Sequence, residues 1–225
     1  MIPKPNRTIF VLLVVASNLF PLYLYAQGSW SVFMFFYLYW LETVIISVFT
    51  SLKIISALGH AENEAVPSLG KRLGRGIKFF ITMFFLLCFY LLFLVVFIGV
   101  MGTDKNEMVQ TVSAVVFRDT NFNLALVGFI LSHGFDFLFN YLLTNENEKK
   151  SGSDFSLLFD PRIIVIHVSI VLSAFALTSF DFGFHIIGHT AGSYIALSIF
   201  IALKTAVDLG SSIIKVDYLK MKNRE

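Results

Sequence analysis

The sequence predicts an all-α fold, a polytopic bundle of six transmembrane helices with both termini on the cytoplasmic side. Three observations predict it. Hydrophobic residues make up 56% of the 225 positions and charged residues only 14%, where a soluble domain carries about 25% charged residues. The apolar residues gather into six stretches, each close to the roughly 20 residues that a membrane-crossing helix needs. The basic residues are also unevenly shared between the intervening segments, which sets the orientation.

The first stretch, near 8–26, follows Lys4 and Arg7, as a signal peptide would. Cleavage after Ala26 would put Leu24 where a small residue is wanted, and the run contains Pro21, so it reads as a retained helix. The second stretch, near 30–57, is joined to it by a very short link and forms an antiparallel hairpin with it. Glu42 is the only charged residue between Trp30 and Leu52. A carboxyl at that depth costs several kcal/mol unless it is protonated, paired or facing a polar cavity, so it reads as functional by default.

The third stretch, near 76–101, has no charge and no histidine from Phe79 to Gly99, and it faces lipid over much of its surface. The basic Gly70–Lys78 segment before it sits against anionic headgroups. Between the third and fourth stretches, Met108, Val112, Val115 and Val116 recur at helical spacing. That pattern fits a short helix over 105–118 in the outer interface; an ordinary ordered loop is the alternative.

The fourth stretch, near 122–143, carries His133, Asp136 and Asn140 on one face. At about 1.5 Å per residue, Glu42 and His133 lie roughly 18 and 17 Å below the outer ends of their helices, with Asp136 a turn deeper. If the faces meet, two carboxyls and an imidazole share the midplane, a set able to relay protons, hold a cation or act as acid and base. A hydrogen-bonded strut between the two helices is the plain alternative.

The fifth stretch, near 162–180, opens with Pro161 at a first-turn position, then Arg162 and His167. The sixth, near 184–208, ends with Lys204 and Asp208, spaced to pair with each other. With Asn140, Arg162 and His167 these form a second polar group near the cytoplasmic face, either a ligand site or snorkelling residues with a neutralising Asp. His185 and His189 also have the spacing for a shared metal, although no third ligand stands near them in sequence. Gly188, Gly192 and Ala196 on the same helix read as a close-packing stripe.

Orientation follows from the basic residues. With both termini inside, the cytoplasmic set is Lys4, Arg7, Lys53, Lys71, Arg72, Arg75, Lys78, Lys149, Lys150, Arg162, Lys215, Lys220, Lys222 and Arg224, against Lys105 and Arg118 outside. The single cysteine, Cys88, excludes an intrachain disulfide or a multi-cysteine zinc site. No compositional break divides the chain, so residues 1–225 read as one transmembrane domain. Nucleotide-binding loops, nucleic-acid modules and cofactor motifs are absent. The expected partner is the lipid bilayer; protein partners and cofactors are left open.

Several strings together resemble an uncharacterised family of bacterial integral membrane proteins. They are Tyr39-Trp40-Leu41-Glu42, Ser132-His133-Gly134 with Asn140-Tyr141, Pro161-Arg162 with His167, and Leu203-Lys204-Thr205 with Asp208-Leu209. The resemblance implies a multi-pass protein of the bacterial inner membrane whose polar residues belong together. It brings no activity. That family often carries histidines on its third span; this chain has none there. A fainter similarity is to rhomboid intramembrane proteases, which place a nucleophilic Ser on the fourth helix and a His on the sixth. Ser132 and His185 would be that dyad. The string around Ser132, Ile130-Leu131-Ser132-His133-Gly134, departs from the rhomboid GxSG pattern.

The residues support three functional readings: proton- or cation-linked transport or small-ligand or lipid binding at the buried cluster, a rhomboid-like serine hydrolase, and a structural or accessory subunit.

Overall fold

The computed structural model describes residues 7–59, 66–96, 105–155, 164, 168, 171, 194 and 197–208. It is all-α, with no strand among the described residues. The helices are α1 (Arg7–Ala26), α2 (Val32–Ser56), α3 (Leu69–Leu94), α4 (Lys105–Val115), α5 (Thr120–Phe137), the short α6 (Glu146–Lys149) and α7 (residues 197–208). A π-helical turn, Leu138–Leu142, continues α5. Among the described residues, three segments are long and apolar enough to cross a membrane: Val32–Ser56, Leu69–Leu94 and Thr120–Leu142.

Element bounds differ from the apolar stretches mainly at α3, which begins at Leu69 rather than near residue 76. The basic residues before Phe79 have long unbranched side chains that favour helix, so the backbone keeps winding where hydropathy has already fallen. The 105–118 segment is helical over Lys105–Val115, in place of an ordered loop. Most of the expected fifth span, and the sixth before residue 197, lie outside the described residues.

Packing divides the chain into two compact units. One comprises Phe36–Val95 and Val112–Asp160. Here α2 and α3 are joined by three hydrogen bonds: Trp40 Nε1 to the Leu87 carbonyl (2.9 Å), Ser51 Oγ to the Gly76 carbonyl (2.8 Å) and Arg72 Nη1 to the Ile55 carbonyl (3.2 Å). Trp40 to Ser51 and Leu87 to Gly76 are equal steps in opposite directions, as are Ser51 to Ile55 and Gly76 to Arg72. The two helices therefore run antiparallel in one register. Gly76 permits the close approach, since a Cβ there would run into the Ile55 side chain. The buried positions of α3, namely Gly76, Phe79, Met83, Leu87 and Leu94, form one face, and its other apolar side chains are largely exposed.

On another side of α2, aromatic rings meet α5: Tyr37 stacks on Phe122 (5.7 Å between centroids), and Phe49 lies 5.9 Å from Phe137. Pairings rise together along both chains, so α2 and α5 run parallel. The corner leading into α5 is tight. Phe117 takes a left-handed φ of 55° between Ala114 and Arg118, and the Asp119 carboxylate caps α5 by accepting from the Phe122 N–H at 2.7 Å.

The other unit comprises Met1–Phe35, Val96–Thr111 and Pro161–Glu225. The α1–α2 link closes with Gly28 at φ 70°; the Gly28 N–H returns to the Tyr25 carbonyl and the Ser29 N–H to that of Leu24. This is a Schellman ending, for which glycine is the natural residue. Gln110 and Thr111 of α4 fasten the link by bonding the Gly28 carbonyl (3.1 Å) and the Ser31 hydroxyl (3.2 Å). Tyr25 meets Tyr194 edge-on at 5.0 Å, while Asn18 reaches Lys204, Thr205 and Asp208, so the chain around 194–208 runs antiparallel to α1.

Candidate functional site

One face of α2 presents Glu42, Phe49 and Lys53, which are spaced to lie in line along the helix. The parallel course of α5 brings His133, Asp136 and Phe137 opposite them. Glu42 is 6% exposed, and its Oε1 lies 3.7 Å from His133 Nε2. That separation is longer than a hydrogen bond, so the pair is in charge proximity and is not locked. The Phe49 ring stacks beside the imidazole at 6.5 Å and lies against Gly134.

Asp136 does not join Glu42. It takes Lys53, with Nζ to Oδ2 at 2.7 Å. Asn140 Nδ2 donates to the other carboxylate oxygen at 3.1 Å. Tyr141 completes the group, its hydroxyl donating to the Lys53 carbonyl (2.9 Å) and its ring lying 5.8 Å from the ammonium. The expected midplane set of two carboxyls and an imidazole is thus arranged as two pairs with Phe49 between them.

Lys53 was counted among the cytoplasmic basic residues. Its spacing from Glu42 was the missed signal: eleven residues is close to three whole turns, so both side chains lie on the same face.

Lys204 and Asp208 pair at 2.8 Å, as their spacing allows. Their companion is Asn18. Its Oδ1 accepts from Lys204 Nζ (3.1 Å), and its Nδ2 donates to Thr205 Oγ1 (3.2 Å) and Asp208 Oδ2 (3.1 Å). Asn18 is 1% and Lys204 4% exposed. The signal for Asn18 was the same as for Glu42, a strongly polar side chain inside an apolar stretch. Asn140, expected with Lys204 and Asp208, donates to Asp136.

Ser132 is exposed on α5. Arg162, His167, His185 and His189 lie outside the described residues, so the second polar group and the dyad are seen only in part, and the two-histidine metal reading falls wholly outside. Among the described residues, no three His, Cys, Asp or Glu side chains gather closely enough to hold a metal ion.

A family model describing a family of unknown function, DUF6498, matches residues 1–225. The chain belongs to that family. No curated protein and no solved structure matches it. The family description carries no activity, so the chemistry rests on the side chains. A carboxyl and an imidazole close together in an apolar frame can hold a proton between them and pass it on. Lys53–Asp136 and Lys204–Asp208, at 2.7 and 2.8 Å with further hydrogen bonds, have the geometry of fixed ties.

Proposed function

We propose that this DUF6498 protein is a six-span, N-in/C-in protein of the bacterial inner membrane, in which Glu42 and His133 exchange a proton during proton-linked transport of a small polar solute or cation. The single observation carrying this reading is Glu42, a carboxyl buried half-way along a helix long enough to cross the bilayer, with an imidazole 3.7 Å away. An intramembrane ionisable residue is costly and marks proton or ion pathways by default. The orientation rests on the partition of basic residues; α2 running antiparallel to α3 and parallel to α5 fits the alternation of successive spans.

The test is proton flux into liposomes loaded with a pH-sensitive dye, driven by a potassium diffusion potential. The wild type is expected to acidify the lumen faster than protein-free vesicles, and Glu42→Gln to abolish the difference while melting within a few degrees of wild type. Equal flux through wild type and Glu42→Gln refutes the reading.

A second reading, that of a structural subunit, draws on the Lys53–Asp136–Tyr141 tie. It predicts no flux in either protein and a loss of stability in Glu42→Gln.

A further inference from the structure

Lys71, Arg75 and Lys78 lie on α3 at i, i+4 and i+7, so they share one face, and all three are exposed. The same stripe continues toward the C-terminal end through Phe85, Phe89 and Leu92, which are 79%, 59% and 60% exposed. The packed face of α3, through Gly76, Met83 and Leu87, points away from it. The helix thus presents a cationic head followed by an aromatic and aliphatic track.

Among the described residues, no carboxylate lies within ion-pair distance of those three cations, and the first turn of α3 holds no acidic residue. Lys71, in the first turn of α3, opposes the helix dipole, which favours an outside anion there. Arg75 Nη1 lies close to Gly152, in the 3-10 turn Gly152–Phe155. Depth fits as well: Phe85 and Phe89 fall about 10 and 16 Å beyond Lys78 at 1.5 Å per residue. One leaflet's share of the hydrocarbon core is about 15 Å.

We infer that the outer stripe of α3 is a binding site for one anionic phospholipid, with its headgroup phosphate on Lys71, Arg75 and Lys78 and an acyl chain along Phe85 and Phe89. The site rests on α3 crossing the membrane, and it is independent of any role for Glu42.

The experiment is thermal unfolding of the detergent-purified full chain, with phosphatidylglycerol or with phosphatidylcholine of the same acyl chains. A ligand bound only by the native state raises the melting temperature by mass action. Phosphatidylglycerol is expected to raise it by several degrees and phosphatidylcholine to leave it unchanged. K71Q/R75Q/K78Q should lose most of the rise, and Arg75→Gln alone part of it. Phe85→Gln should weaken the response as well, because the acyl track is broken. K149Q/K150Q, which removes two other basic residues, should keep the full response, and Glu42→Gln should keep it too. The inference is overturned by an equal rise with phosphatidylcholine, by an unchanged response in the triple variant, or by an equal loss in K149Q/K150Q. An equal rise with soluble glycerol 3-phosphate also overturns it, since a free phosphate would then suffice.

Discussion

Replacing Asn18 by leucine keeps much of the side chain's volume and removes only its polarity, which makes it the cleanest probe of the α1–α7 tie. The substitution deletes two donated hydrogen bonds, to Thr205 and Asp208, and one accepted from Lys204. Polar contacts between membrane helices average about 0.6 kcal/mol, so three of them amount to about 2 kcal/mol. The accepted bond comes from an ammonium group, and hydrogen bonds to charged groups contribute about 1.5–3 kcal/mol, which moves the total toward 3. Lys204 keeps Asp208 at 2.8 Å, so the charge is not stranded and the larger penalty for an orphaned buried ion does not apply. The expected loss is about 2–3 kcal/mol. Reversible unfolding in mixed micelles measures it, and a double-mutant cycle with Lys204→Met isolates the shared term, expected at about 1–2 kcal/mol for residues in one network. A loss below about 0.5 kcal/mol with no coupling would refute the reasoning.

Three further outcomes can be checked directly. Gly76→Ala should cost about 1–3 kcal/mol, because the new methyl group meets Ile55, and adding Ile55→Ala should recover part of the loss in the same unfolding assay. At the left-handed corner, Phe117→Gly should be more stable than Phe117→Ala by about 1 kcal/mol, since both lose the ring and only glycine relieves the backbone. Cys88 is exposed on α3, within the uncharged run that begins at Phe79. In sealed vesicles it should resist a charged maleimide, because a charged reagent does not enter the hydrocarbon core, and it should label after detergent denaturation; rapid labelling in intact vesicles would argue that α3 does not cross.

Much of the helix inventory was legible because apolar runs and helical spacing are local properties. The α2 and α5 bounds fall within a few residues of the apolar stretches, and the 105–115 helix followed from the recurrence of its apolar positions. The proximity of Glu42 to His133 was legible too, from depth and face together. The partner of Asp136 was not. Pairing depends on how each helix is rotated about its axis and on which neighbour it meets, and hydropathy records neither. Lys53 was absorbed into a count of basic residues, which treats a side chain as a charge near a boundary and ignores its face. Asn18 was overlooked for a related reason: an amide barely lowers the mean hydropathy of a twenty-residue window, although burying it without partners costs several kcal/mol. The start of α3 was misjudged because membrane-crossing and helix-forming tendencies end at different residues.

The π-helical turn at Leu138–Leu142 sets the angular phase of everything that follows it on α5. Five residues separate Asp136 from Tyr141, and in a regular α-helix that step would swing the second side chain about 140° from the first. The wider turn, marked by the Leu143 N–H reaching back to the Leu138 carbonyl at 2.9 Å, absorbs much of that swing. Both residues can therefore address Lys53, one at its ammonium and the other at its carbonyl. The extra residue acts like a tooth added to a gear. Deleting Leu138 or Phe139 would return the helix to α geometry with Asp136 and Tyr141 four residues and about 40° apart, so both would still face Lys53, whereas a full-length turn forced into α geometry would swing Tyr141 away.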